Sequence, residues 1–254
     1  MPNYLVFRLH SSMASWGDTA VGGVRPSHRY PTKSAVLGLV AAALGIRREE
    51  ETRLLTLQDE VGFATRVDNE GVLLIDYHTT QVPSRANLKN NPHSTRRDEL
   101  LIPELNTILS TREYYCDALY TIVLWQQDNA TSFSLIDIKK ALLQPVFVLY
   151  LGRKSCPLSF PVYPASISAE NIEQALTLAD EELAVKEGNF LSYLQANKNP
   201  KHFYWESQDK VDNAEHYKDR RTRKDKLRNR QRWQYQEREE YYKMIPDEEN
   251  NSVF

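Results

Sequence analysis

Four short groups of residues in this sequence carry chemistry. Arg25, Arg29, Lys33 and Ser34 fall just before and at the start of a helical pattern. Free backbone N–H groups and the helix dipole favour phosphate there, and the arginines add charge-assisted bonds. Gly152-Arg153-Lys154-Ser155-Cys156-Pro157 sets a glycine, which lets backbone approach a ligand, beside three phosphate donors. The segment is not a P-loop, because the G-x-x-x-x-G-K-[ST] spacing is absent. Met13 and Trp16 offer a thioether and an indole at a strand end. They can seat an unstacked base or simply close the edge of a core, and chemistry alone favours the core. Asp76 and His78 share a face of a strand pattern. The pair could supply a general base for metal-free cleavage through a ribose 2′-hydroxyl, or only bond to each other, and the second reading is preferred.

Other chemistry has no foothold. The six histidines (10, 28, 78, 93, 202 and 216) show no H-x-x-x-H spacing, so no metal site is expected. No G-x-S-x-G, H-E-x-x-H or G-x-G-x-x-G motif occurs, so hydrolase, zincin and dinucleotide readings fall away. Two cysteines, Cys116 and Cys156, exclude a disulfide framework and a Cys-rich zinc site. Cys156 reads as a small packed residue.

The elements that must position these residues are partly legible. Leu5, Phe7 and Leu9 alternate as in a half-buried strand. A helix opens at Pro31-Thr32-Lys33-Ser34, with Thr32 or Ser34 as N-cap, and stops at Gly45. Leu54, Leu55 and Leu57 suggest a shorter second helix. Residues 61–68 and 72–79 read as strands joined in a hairpin by Asn69-Glu70-Gly71. The polar, arginine-bearing stretch 80–113 is too long for a plain connector. A strand over 118–124, a helix over 134–143 and a short buried strand over 146–151 follow, and Ser168 caps a helix over Ile172, Leu176 and Leu178. Residues 188–216 stay ambiguous. Residues 218–243 read either as one long charged helix or as a basic loop feeding a last strand near 241–245. The order predicts an α+β fold with a ferredoxin-like βαββαβ core of the kind RNA-recognition domains share.

The 254 residues carry 32 basic and 34 acidic side chains, a net charge of -2 that argues against a polyanion partner at first sight. The charges are segregated, however. Residues 1–48 hold six cations against Asp18, a balance of +5, and 49–70 balance at -5. Residues 218–232 reach +7 with nine cations against Asp219 and Asp225, and 237–249 return to -4. Such blocks can attract a polyanion or simply solvate a face. No run of ~18 apolar residues occurs, so no membrane span is expected. The start lacks a signal-peptide pattern, and a cytoplasmic location follows as an expectation.

Several ordered motifs add up to a family. They are Tyr4-Leu5-Val6-Phe7-Arg8-Leu9, Met13-Ala14-Ser15-Trp16-Gly17, the stretch Arg25 to Ser34, Asp76-Tyr77-His78-Thr79, Arg112 to Ala118, and Leu151 to Pro157. Together they resemble the CasD family, the RAMP-type subunits of type I-E CRISPR Cascade complexes. The resemblance covers residues 1–165, and Arg230 to Met244 is similar to the family's ending. It implies a ferredoxin-like RAMP core over 1–79 and 114–165, a thumb insertion over 80–113, and a C-terminal region over 166–254 that is partly β, basic then acidic. It further implies a non-catalytic subunit, without cofactor or metal, that grips the 5′ handle of the CRISPR RNA (crRNA). By that likeness the handle meets Met13, Trp16, Arg25, Arg29, Lys33, Ser34, Arg112, Gly152, Arg153, Lys154 and Ser155. Arg85, Arg96 and Arg97 would reach partners from the thumb. The implied partners are the crRNA, the backbone subunit CasC and the large subunit CasA, with target DNA met indirectly through the complex. Handle cleavage in type I-E belongs to CasE, whereas the related type I-C subunit is itself a nuclease. A metal-independent endoribonuclease is therefore the alternative function.

Overall fold

The first strand, β1 (Asn3–His10), buries both of its faces. Leu5, Phe7 and Leu9 enter one core while Tyr4 and Val6 enter another, so the half-buried strand expected from alternation is covered on its second side as well. The structure is a computed structural model that describes residues 1–128, 130–187, 201–206 and 219–245.

Three two-residue strands follow β1: β2 (Trp16–Gly17), β3 (Val24–Arg25) and β4 (Ser27–His28). Helix α1 (Lys33–Ala43) starts at Thr32, whose Oγ1 accepts the Ala35 N–H at 3.1 Å. It stops at Gly45, whose φ of +74° suits the left-handed exit of a helix, as expected. Then come α2 (Glu51–Glu60), β5 (Val61–Asn69), β6 (Val72–Pro83), α3 (Arg85–Asn90), α4 (Arg96–Leu100), β7 (Leu105–Cys116) and β8 (Leu119–Gln126). The chain continues through α5 (Leu135–Leu143), β9 (Ala165–Ser168), α6 (Ile172–Glu187), β10 (Lys201–Trp205), β11 (Asp219–Asn229) and β12 (Gln234–Ile245).

The fold is α+β. A seven-stranded sheet runs β11-β12-β10-β5-β8-β1-β9, with antiparallel pairing throughout. Within it, α1 links β1 to β5 and α5 links β8 to β9, so β5-β8-β1-β9 has the 2-3-1-4 order of a βαββαβ unit. That order is consistent with a ferredoxin-like core. α1 and α5 pack on one face over Leu5, Phe7, Leu9, Ile122 and Leu124. α6 covers the other face over Tyr4, Val6, Val123 and Trp125. On that second face Arg8 and Arg66 share Asp180 at 2.6 Å each, and Arg66 also holds Asp68 at 2.6 Å. Among the described residues no helix is long and apolar enough to cross a membrane.

Three sequence expectations change. First, Asn69-Glu70-Gly71 does not close a hairpin: β5 pairs with β8 and β10, while β6 leaves the sheet and pairs with β7 from Val72↔Cys116 to Pro83↔Leu105. Gly71, at φ +71°, marks the crossing, because a Cβ there would lie 2.3 Å from the Cys116 carbonyl oxygen. The resulting arm carries α3 and α4 at its tip, and begins at Val72, eight residues before the stretch that composition marks off. Secondly, residues 146–151 are not a buried strand. The Val146 and Phe147 N–H groups donate to Ala43 and Ala42 carbonyls at the end of α1, leaving Val148 82% exposed. The fourth strand of the unit is β9. Thirdly, 219–245 is neither a helix nor a loop with one terminal strand but a β-ribbon that extends the sheet. Of the ambiguous stretch 188–216, residues 201–205 form β10 and 188–200 and 207–216 lie outside the described residues, as does the acidic end 246–254.

Candidate nucleic-acid interface

At the root of the arm four segments are stitched together by backbone. The Ala14 N–H donates to the Tyr115 carbonyl and the Tyr115 N–H returns the bond, both at 2.8 Å. β3 lies parallel to β7, which sets Arg25 opposite Arg112. Ser15 donates its N–H to Leu151 at 3.1 Å, and the turn after Leu151 closes through the Cys156 N–H on Arg153 at 2.9 Å. Gly152 is at φ +85°, and a Cβ there would sit 1.8 Å from the Ser15 oxygen. Only glycine allows the turn to press this closely on the loop.

This stitching brings Arg25, Arg112, Arg153, Lys154 and Ser155 to one region, and Met13, next to Ala14 in the chain, is half-buried against the main core. Arg25 is exposed, its Nη1 donating to the Gly22 carbonyl at 2.6 Å. Arg112, Lys154 and Ser155 are exposed. Arg153 is half-buried: its guanidinium lies 4.7 Å over the Tyr114 ring and Nη2 donates to the Arg25 carbonyl at 3.2 Å. Its Nη1 is buried without a hydrogen-bond partner among the described residues.

Other expected residues are placed elsewhere. Trp16 is 1% exposed and meets Tyr120 edge-on at 5.6 Å, so of its two readings the geometry is that of a core ring. The Trp16 N–H on Ser27 Oγ at 2.9 Å holds the loop in that position. Lys33 is corrected from a surface phosphate donor to a buried cation, 6% exposed and paired with Glu206 at 2.6 Å. Desolvation lowers its pKa, with Glu206 opposing that shift. Ser34 is half-buried with Oγ 3.1 Å from Thr32 Oγ1. Arg29 is exposed beside Glu70 at 3.9 Å, an acid that also faces His202 at 3.3 Å. At the arm tip, Arg85 and Arg97 are exposed, while Arg96 is held by Glu99 at 2.5 Å and by the Gln81 carbonyl. His78 Nε2 bonds to Asp76 on the arm, the pairing preferred from sequence.

The basic and acidic blocks largely meet each other. α2, from the acidic block, packs against β11, from the basic one. Lys226 lies 3.6 Å from Asp59, and the Arg230 N–H donates to Glu51 at 3.0 Å. Arg223 and Arg238 enclose Asp225 and Glu240 in a buried cluster that also takes the Tyr30 hydroxyl on Glu240 at 2.8 Å. Among the described residues no group of three or more His, Cys, Asp or Glu could hold a metal ion.

Sequence reasoning missed one region. A cleft of 310 Å³ runs between Ser34 on α1, Gly152 and the turn of the β11–β12 ribbon, where Arg230, Trp233 and Tyr235 line it. The available signal was the interleaving of arginines and aromatics over 228–235.

The sequence pattern described as CRISPR-associated protein (Cas_Cas5) matches residues 4–241. The chain belongs to this Cas5 family. A Cas5-family relative, the CRISPR system Cascade subunit CasD of Escherichia coli (strain K12), is 36% identical over 176 residues, which are 69% of this chain and 76% of the relative. A solved chain of a CRISPR RNA-guided surveillance complex superposes with a TM-score of 0.60 at 22% identity, covering 96% of this chain and 89% of that one. A crystal structure of a Cas protein gives 0.62 at 24% identity, covering 96% of each. These two structures share the fold.

Proposed function

We propose that this Cas5-family chain is an RNA-binding subunit of a Cascade-type CRISPR surveillance complex, holding the 5′ handle of the crRNA without cutting it. The observation that carries the reading is the turn at Gly152, pressed onto the 14–16 loop and presenting Lys154 and Ser155 beside Arg25, Arg112 and Arg153. Phosphates on such a cluster fix the register of a strand, with the exposed Lys154, Arg25 and Arg112 as their donors. Holding is favoured over cutting by the likeness to a Cascade subunit. The pair that could serve a cut, His78 bonded to Asp76, lies on β6 with Asp76 opposite Arg112, and His78 is the residue to test. The arm, with Arg85 and Arg97 at its tip, extends toward a backbone subunit of the CasC kind. Contacts with a large subunit of the CasA kind and, through the complex, with target DNA complete the reading.

The test is co-purification of the tagged chain from cells carrying its CRISPR array, followed by sequencing of retained RNA. The proposal expects RNAs with an intact repeat-derived 5′ end. Retained RNA without repeat sequence, or none, contradicts it.

A further inference from the structure

Trp233 differs from the protein's three other tryptophans. Trp16, Trp125 and Trp205 are at most 3% exposed, whereas Trp233 is 56% exposed at the tip of the β11–β12 ribbon. Its backbone is in the left-handed region at φ +53°, where a bulky residue is uncommon. Two guanidinium groups flank it: Arg230 lies 4.1 Å and Arg48 4.8 Å from the indole centroid. They come from opposite ends of the chain. Arg230 is held by the Tyr235 hydroxyl at 3.0 Å, so the cluster is braced before any ligand arrives. Guanidinium groups over an exposed indole that lines a cleft extend the planar surface on which a base can stack, and they give its phosphate a counter-charge.

We infer that the Trp233–Arg230–Arg48 cluster is a stacking site for one unpaired nucleotide of single-stranded RNA, across the cleft from the Gly152 turn. The inference rests on the RNA-binding reading above and extends it to the ribbon, assigning the basic stretch 219–232 to RNA at its turn. Most of the ribbon's other charges are spent internally: Arg220 pairs with Glu239, Arg221 with Asp219 at 2.7 Å, and Arg223 with Asp225 and Glu240. The cleft volume of 310 Å³ falls at the small end of ligand pockets, the size of one nucleotide rather than of a duplex. Stacking tolerates any base, so this site adds affinity with little sequence preference.

The test titrates the full-length chain with a ten-nucleotide single-stranded RNA and with DNA of the same sequence, reading tryptophan fluorescence and anisotropy. RNA should quench the one exposed tryptophan. Trp233→Ala should abolish the quench and weaken RNA binding about five- to a hundredfold. Trp233→Phe should abolish the quench but keep most of the affinity, because a phenyl ring still stacks. Arg48→Ala should weaken binding and lower the salt slope by about one. RNA binding with neither quenching nor any effect of Trp233→Ala overturns this inference and leaves the proposed function standing. Quenching by the DNA and not by the RNA overturns it in favour of a DNA strand. A wild-type chain that binds neither probe overturns this inference, whereas the proposed function falls only if no RNA with repeat sequence co-purifies.

Discussion

The Asp225 carboxylate accepts the backbone N–H of Lys33 at 2.8 Å, so the anion at the N-terminus of α1 is the protein's own. Thr32 takes the Ala35 N–H, and Arg238 braces Asp225 through Nε at 2.6 Å and Nη2 at 3.0 Å. The helix start that looks from sequence like a phosphate site is therefore a docking point for the ribbon. The dipole argument was sound, but an internal carboxylate satisfies it.

Removing that carboxylate should be costly. Asp225→Asn leaves Arg223 and Arg238 buried with one acid instead of two, and it should destabilise the protein by about 3–5 kcal/mol. Urea unfolding of the variant beside the wild type measures this. A loss below ~1 kcal/mol would mean that the cluster is more hydrated than its burial indicates.

Lys33 and Lys154 should separate stability from binding. Lys33→Met leaves the half-buried Glu206, at the end of β10, with the Phe63 N–H but no counter-charge from Lys33, and should lower stability by about 3 kcal/mol, with RNA affinity of the folded protein unchanged. Lys154→Ala should change stability by less than about 0.5 kcal/mol. It should weaken RNA binding by about 1–2 kcal/mol through a lost charge-assisted contact. Parallel melts and binding titrations of the two variants read the contrast.

Gly152→Ala should act on both properties. The added Cβ meets the Ser15 oxygen, and φ +85° is strained for alanine, so a loss of about 2 kcal/mol or more is expected. Binding should fall with it, because the turn that presents Lys154 must shift. Thermal unfolding together with RNA titration checks both.

Glu60 sets a pH dependence. Desolvation raises its pKa, but the N–H groups of Thr131, Ser132 and Phe133, at 2.9–3.1 Å, outweigh this and bring it from 4.5 down to about 2. A carboxylate depressed on folding stabilises the protein above its unfolded pKa, and the contribution is lost as pH falls from about 4.5 through 2. Glu60→Gln should be less stable than wild type at pH 7, and the gap should narrow across that window. A gap that stays constant from pH 6 to 3 contradicts the assignment.

The parts legible in sequence were those built by apolar period and caps. Leu5-Phe7-Leu9, the Thr32 cap with its Gly45 exit, and the strand over 118–124 all needed only local chemistry. The ribbon was illegible for a physical reason. Its inward-facing side chains on β11 are Arg223 and Asp225, so no hydrophobic alternation exists, and its turn uses Trp233 at positive φ where a glycine would have been a signal. The hairpin at 69–71 misled because β-rich neighbours usually pair, whereas here an arm is inserted between partners far apart in sequence. Charge blocks identified real segregation but not its use. Lys33 and Arg223 face carboxylates, and the cations left at the surface are fewer than the +5 and +7 sums imply. The turn at 152–156 was readable because its glycine and its donors are contiguous.

The central claim is that the chain holds CRISPR repeat RNA at the Gly152 turn and leaves it whole. The direct measurement is incubation of purified protein with 5′-labelled repeat RNA in the absence of metal, followed by native and denaturing gels. Wild type should shift the RNA on the native gel, an Arg153→Ala/Lys154→Ala variant should weaken that shift by about tenfold or more, and the denaturing gel should show full-length RNA in both. Cleavage by wild type that disappears in His78→Ala, or binding indifferent to the double substitution, would contradict the account.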